Sequence, residues 1–226
     1  LCADIVLAAR KSGQEVVPEE FREVPDVALK GKELMDRLRK YVDRSTAYAI
    51  SALSACRSFD KDLYVNLMEG LKLSFSKESF DYLIEFSFVW DSEERGQGWY
   101  RIHDLMRRIA HQQEDETTLE AHRFLAEYYR LRGEQGDVTA IAEKVYHAYR
   151  LDSADGVNQW LDEMDRALEL SKYGLCRLLI GLHDDLMPSS NMDRGRMLTQ
   201  EGNYYAALSL SENALIEYRE AIAAYD

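Results

Sequence analysis

The sequence predicts a mainly helical protein with one small β-hairpin, and three observations lead there. Its 226 residues include only three prolines and are rich in Leu, Ala, Glu, Arg and Tyr, most of them good helix formers. Apolar residues recur three and four positions apart through most of the chain, the period of a helix with one buried face. Only the stretch from Trp90 to Ile102 carries strand and turn signals together, with aromatic-rich ends around a charged, Gly-containing turn at Glu93 to Gly98. A hydrophobic share of 46% is that of an ordinary globular protein, and the length allows one large or two small domains.

In chain order, Leu1 to Gly13 reads as the tail of an apolar-faced helix (Ile5, Val6, Ala8, Ala9), followed by a loop holding Pro18 and Pro25. Lys32 to Asp43 resumes a helical period through Leu34, Leu38 and Tyr41. Three helices come next. Ser45 to Arg57 places Ile50, Leu53 and Cys56 on one side, Lys61 to Leu71 uses Leu63, Leu67 and Met68, and Lys77 to Phe88 uses Phe80, Leu83, Ile84 and Phe88. Asp60 and Ser76 are the expected N-caps of the second and third. After the hairpin, Asp104 stands where an N-cap belongs, ahead of Leu105, Met106, Ile109 and Ala110. Three helices and a two-stranded wing make a winged helix-turn-helix.

From Thr117 the chain alternates helices and short polar breaks. The helices run Leu119 to Leu131, Ala140 to Leu151, Val157 to Leu170, Tyr173 to Met187, Arg194 to Ala207 and Ser211 to Tyr225. Paired in order they give three helical hairpins, the pattern of an α-solenoid.

Charge narrows the function. The net charge is −13, with 9 acids and 9 bases in Leu1 to Arg44, 10 and 8 in Ser45 to Gln113, and 22 and 11 in Glu114 to Asp226. The acidity therefore sits in the helical array, which repels phosphate backbones and suits a protein partner. In a DNA-reading winged helix the third helix presents basic or amide groups to the groove. Here it offers Lys77, Glu78, Asp81 and Glu85, and the wing offers Asp91, Glu93, Glu94 and Arg95, so no nucleic-acid partner is expected.

Catalytic signals are weak. No GxxxxGK[ST] occurs, and Gly31-Lys32 lacks both the earlier glycine and the following Ser or Thr. The neighbouring acids Asp162-Glu163 and Asp184-Asp185 point away from each other on a helix and read as solvated faces. His183 beside Asp184 and Asp185 is a loose metal trio that fixes little geometry, so no metal and no cofactor are expected. Cys2, Cys56 and Cys176 are odd in number and lack CxxC spacing, which predicts buried reduced thiols and a cytoplasmic setting. Tyr128, Tyr129, Tyr146, Tyr149, Tyr204 and Tyr205 read mostly as core, a minority lining a groove, and His122 and His147 as inter-helix packing residues. No apolar run reaches membrane-spanning length. A chain opening on Leu1-Cys2 without Met reads as a fragment.

The run WDSEERGQGWYRIHDLMRR from Trp90 to Arg108, with Ile102-His103-Asp104-Leu105 at the strand-to-helix joint, resembles the end of the winged-helix domain in STAND-class signal-transduction NTPases. Their motif there is Met-His-Asp-Leu, with Ile here for Met. The resemblance covers Leu34 to Gln113. Gly202, Tyr205, Ala214, Tyr218 and Ala221 stand at the small and aromatic positions of a tetratricopeptide (TPR) repeat, and one repeat from Gly195 to Asp226 is similar to that family. Shifting back by the 34-residue period lands on Leu168, Ser171, Ile180, Asp184 and Met187, so the earlier hairpins are degenerate. These resemblances imply three regions: 1–44 as the end of a helical lid and a linker, 45–116 as the winged helix, and 117–226 as TPR-like repeats. They imply a non-catalytic regulatory segment whose winged helix transmits nucleotide state and whose repeats bind a protein. His103 would face the nucleoside diphosphate held by the parent's nucleotide-binding domain. As a surface imidazole it would add little to the stability of the fragment itself. Two competing readings are a DNA-binding regulator with a TPR sensor and an enzyme with a site spread over the solenoid.

Overall fold

The computed structural model describes residues 2–14, 33, 36–93, 95–112, 116–188 and 190–226. The loop expected around Pro18 and Pro25, and the Gly31-Lys32 pair, lie outside them. Over the described residues the chain is mainly helical with one two-stranded antiparallel sheet. It divides into two compact units, Leu1–Phe124 and Leu125–Asp226.

In the first unit α1 (Cys2–Lys11) precedes a helical stretch at 36–41, then α2 (Arg44–Leu53), α3 (Lys61–Gly70) and α4 (Lys77–Leu83). Strands β1 (Val89–Asp91) and β2 (Tyr100–Ile102) pair in the register Val89 to Ile102, and α5 (Asp104–Gln112) follows. Asp43 and Asp60 cap α2 and α3, accepting from Thr46 N at 3.0 Å and Leu63 N at 2.8 Å. At the start of α4, Ser76 N–H donates to Ser79 Oγ at 3.1 Å. The core is aromatic. Phe59, Tyr64, Phe75, Phe80 and Tyr100 meet with ring centroids 5.3–6.5 Å apart. Phe59 also pairs its backbone with Tyr100 in both directions, at 2.8 and 2.7 Å, which covers the outer edge of β2. The buried Asp4 of α1 accepts from Ser87 N at 2.9 Å and from its hydroxyl at 2.5 Å, pinning α1 to the approach to β1.

The third helix stops at Leu83 and not at Phe88. Phe86 and Phe88 are both buried and stack at 5.2 Å. Two positions apart on a helix they would point in different directions, so turns replace the helix and turn both rings inward.

Helix α6 (Glu116–Glu134) starts earlier than its apolar pattern indicates and carries the boundary between the two units. The second unit continues through α7 (Val138–Leu151), α8 (Ser153–Glu169), α9 (Tyr173–Ile180), α10 (Asn191–Ala207) and α11 (Ser211–Tyr225). Asp137 and Asp152 cap α7 and α8 through pairs of first-turn N–H groups at 2.9–3.2 Å. Trp160, fully buried, donates Nε1–H to Leu179 O at 2.8 Å and centres a core with Tyr146, Met164 and Leu179. Two crossings in this unit depend on missing side chains. A Cβ at Gly156 would lie 2.2 Å from Tyr149 Cα, and Cβ atoms at Gly195 and Gly202 would lie 2.5 and 2.4 Å from the Tyr225 and Tyr218 rings. The pairs 195 with 225 and 202 with 218 make α10 and α11 antiparallel, with heptad-spaced tyrosines lying over heptad-spaced glycines.

Helix α9 ends at Ile180, short of the expected Met187. Turns over 181–185 put Leu182 and Leu186 fully inside the core, and Pro188 disfavours a helical Met187. Five helices close with paired reverse hydrogen bonds around a left-handed residue, Gly13, Lys72, Gly136, Ser171 or Ser209. Glycine adopts that conformation at no steric cost, whereas Ser171 and Ser209 hold it at φ 53° and 61°. Ser209→Gly is therefore expected to raise stability in urea by about 0.5–1 kcal/mol, and Gly136→Ala to lower it by a similar amount. Gly156→Ala is expected to cost more than Gly202→Ala in the same measurement, each about 1–3 kcal/mol or more. The obstacle at Gly156 is backbone, while at Gly202 it is a ring that can tilt.

Candidate functional site

The site built around His103 begins with the sheet. Ile102 is the last paired residue of β2, and His103 N still donates to Phe88 O at 2.8 Å, so the backbone is extended there. His103 O then accepts from Met106 N at 2.8 Å and Arg107 N at 3.1 Å, while its Nδ1 accepts from Leu105 N at 3.1 Å. His103 is thus the N-cap of α5, and Asp104 is its first helical residue, paired with Arg107 at 3.6 Å. This corrects the expectation of an Asp104 cap. The β ladder fixes which residue is last to be extended, and that phase outranks the intrinsic preference for Asp. Asp104 keeps the general benefit of a negative charge at a helix start.

An imidazole whose Nδ1 accepts a backbone N–H carries its proton on Nε2. The ring is half-buried and meets the Trp90 ring edge-on at 4.4 Å, with Trp90 in turn held by Nε1–H donation to Ser87 O at 2.9 Å and by Arg101 over its face. The arrangement can present one oriented neutral N–H donor beside the positive end of a helix.

The other residues singled out by sequence go elsewhere. His183 does not gather Asp184 and Asp185 around a metal; its Nδ1 meets Glu201 Oε1 on α10 at 2.5 Å. Among the described residues no group of three His, Cys, Asp or Glu could hold a metal ion. Asp162 is exposed, and Glu163 pairs with Lys144 at 2.9 Å. Cys56 and Cys176 are buried, but Cys2 is exposed, against the expectation of three buried thiols. His122 and His147 are buried, His122 beside His111 at 5.4 Å and His147 stacked on Tyr129 at 5.6 Å. Tyr146 and Tyr204 are core residues, while Tyr128, Tyr129, Tyr149 and Tyr205 are half-buried. On the third helix Glu78 and Asp81 are exposed, Asp81 paired with Lys61 at 3.2 Å, and Glu85, in the turn that follows, is exposed and paired with Lys11 at 3.8 Å.

The pair of His183 with Glu201 is not legible in the sequence, because the partners are 18 residues apart and the acids beside His183 are the nearer candidates. The capping duty of His103 is likewise not marked by its residue type. No protein family, curated protein or solved structure matches this chain.

Because the His103 side chain supplies a cap, removing it has a stability cost that a surface imidazole would not have. His103→Ala is expected to lower stability by about 1 kcal/mol in urea, and His103→Asn, which also accepts from a first-turn N–H, to restore most of it. Equal losses in the two variants would mean that packing against Trp90, and not capping, is what His103 contributes.

Proposed function

We propose that this chain is the non-catalytic regulatory and protein-interaction segment of a STAND-type NTPase. In this reading residues 45–116 are a winged helix that transmits nucleotide state, and 117–226 are TPR-like repeats that recognise a protein. The observation that carries it is the Ile102-His103-Asp104-Leu105 joint itself. A β-hairpin delivers His103 to the first turn of α5, and the cap leaves Nε2–H as the ring's remaining donor. Such a donor suits a phosphate oxygen held by a neighbouring nucleotide-binding domain. The glycine-on-tyrosine packing of α10 and α11 favours the repeat assignment, since close crossing through small residues is what lets repeat hairpins stack.

The mechanism follows from linkage. A bond made only in the resting arrangement shifts the equilibrium by its own free energy, roughly 1.5–3 kcal/mol for a donor to a charged phosphate, or about tenfold or more. Partner binding on the repeats would bias the same two positions of the winged helix. The DNA-binding alternative has the exposed acids of α4 against it, which meet a phosphate backbone with the wrong sign.

Two measurements test this. In a gel shift at low salt the chain is expected to leave duplex DNA unretarded; salt-sensitive retardation would favour the regulator reading instead. In the full-length NTPase that the proposal requires, His103→Asn keeps the cap but shortens the reach to phosphate. It should speed nucleoside diphosphate release about tenfold or more. Unchanged release would remove His103 from nucleotide sensing.

A further inference from the structure

We propose that His183, Glu201 and Glu217 form a proton-operated latch within the second unit, tightening the turn after α9 against the α10–α11 hairpin on acidification. The inference does not depend on the NTPase reading.

The geometry starts with the turn after α9. His183 lies between Leu182 and Leu186, both fully buried, and the turn is closed by His183 N to Ile180 O at 2.9 Å and Leu186 N to Leu182 O at 2.9 Å. The imidazole is thereby held toward α10, where Glu201 waits with its side chain only 6% exposed. When protonated, the ring donates from Nδ1 to that carboxylate in a charge-assisted bond. On α11, which packs against α10 at Gly202, Glu217 acts on the pair through its charge. The turn after α9 and the buried face of α10 therefore meet on one imidazole and one carboxylate.

The charged groups acting on His183 are Glu201 through its hydrogen bond and charge, Asp184 on its own turn, and Glu217 on α11. The bond to Glu201 raises the imidazole above its ordinary 6.5 despite partial burial. Burial, then the charges of Glu201 and Glu220, push the Glu217 carboxyl above its ordinary 4.5, with His183 opposing them. The signs agree. A histidine raised in the folded state contributes stability that is complete below 6.5 and is lost as pH climbs through the folded value. An acid raised by burial and like charges costs stability once ionised, so that cost also grows with pH. Loss of the imidazolium charge removes the counter-charge from both carboxylates at once, which couples the two titrations. Over the range in which the imidazole titrates, this hairpin tightens on acidification.

The experiment is amide hydrogen exchange on the intact chain, read at pH 6 and pH 8.5 after correction for intrinsic rates, together with an NMR titration of the His183 ring. Each unit by which the folded imidazole value exceeds the unfolded one is a factor of ten, and the ring's partial exposure reduces it. Protection of α10 and α11 is therefore expected to be about three- to tenfold greater at pH 6, with α7 and α8 changing less. In His183→Gln, which keeps a donor but no charge, the difference should vanish. Glu201→Gln should abolish it as well and return the His183 titration toward 6.5. A wild-type His183 titrating at or below 6.5, or the same pH dependence surviving in His183→Gln, overturns the latch. If a variant fails to fold, the wild-type titration decides alone.

Discussion

Helix ends are the constraint on which this structure depends. Helices of 7 to 19 residues leave a large share of their backbone groups at termini, where the first N–H groups and last C=O groups have no partner within the helix. The chain answers with side-chain oxygens from Asp43, Asp60, Asp137, Asp152 and Ser190, and with one ring nitrogen, His103. At Asp137 burial pushes the carboxyl up, but hydrogen bonds from Thr139, Ala140 and Arg132 outweigh it and hold it below its ordinary value. These acids belong to the net charge of −13, so part of the acidity is structural and is not a recognition surface. Only acids such as Asp162, Glu212 and Glu220, exposed on helix faces, remain to repel phosphate or attract a basic partner.

What the sequence made legible follows from that constraint. Asp60 was readable as a cap because its carboxylate stands three residues before Leu63 and needs only local geometry. The Gly202 and Tyr218 crossing was readable from spacing, since a small residue on one helix and aromatic residues on the next imply a close pair. Gly156 was not, because its obstacle is the Tyr149 backbone and follows only from the crossing of α7 and α8. The helix ends at Leu170 and Ala207 were readable from the polar breaks although no glycine marks them, whereas the ends of α4 and α9 follow from which of two nearby apolar residues must turn inward. Tertiary burial overrode the helical period in both cases.

The candidate site divides the same way. His103 could be found from its place between an aromatic strand and a helix, but its cap depended on the phase of the β ladder, which sequence leaves free by one residue. The partner of His183 was out of reach. A contact between residues 183 and 201 requires the turn that stops α9, and that turn is the element the apolar pattern had filled with helix.

Two histidines thus use the same ring in opposite ways. At His103 the lone pair of Nδ1 serves a backbone N–H, so the ring works in its neutral form and contributes orientation without charge. At His183 the Nδ1 position faces a buried carboxylate, so the ring works best as a cation and its contribution follows pH. It follows that His103, in the role proposed for it, would discriminate a phosphate by position alone, and the charge of that interaction would belong wholly to the nucleotide. A sensor of that kind responds to where the nucleotide-binding domain sits, whereas the His183 latch responds to proton activity through an interaction within its own unit.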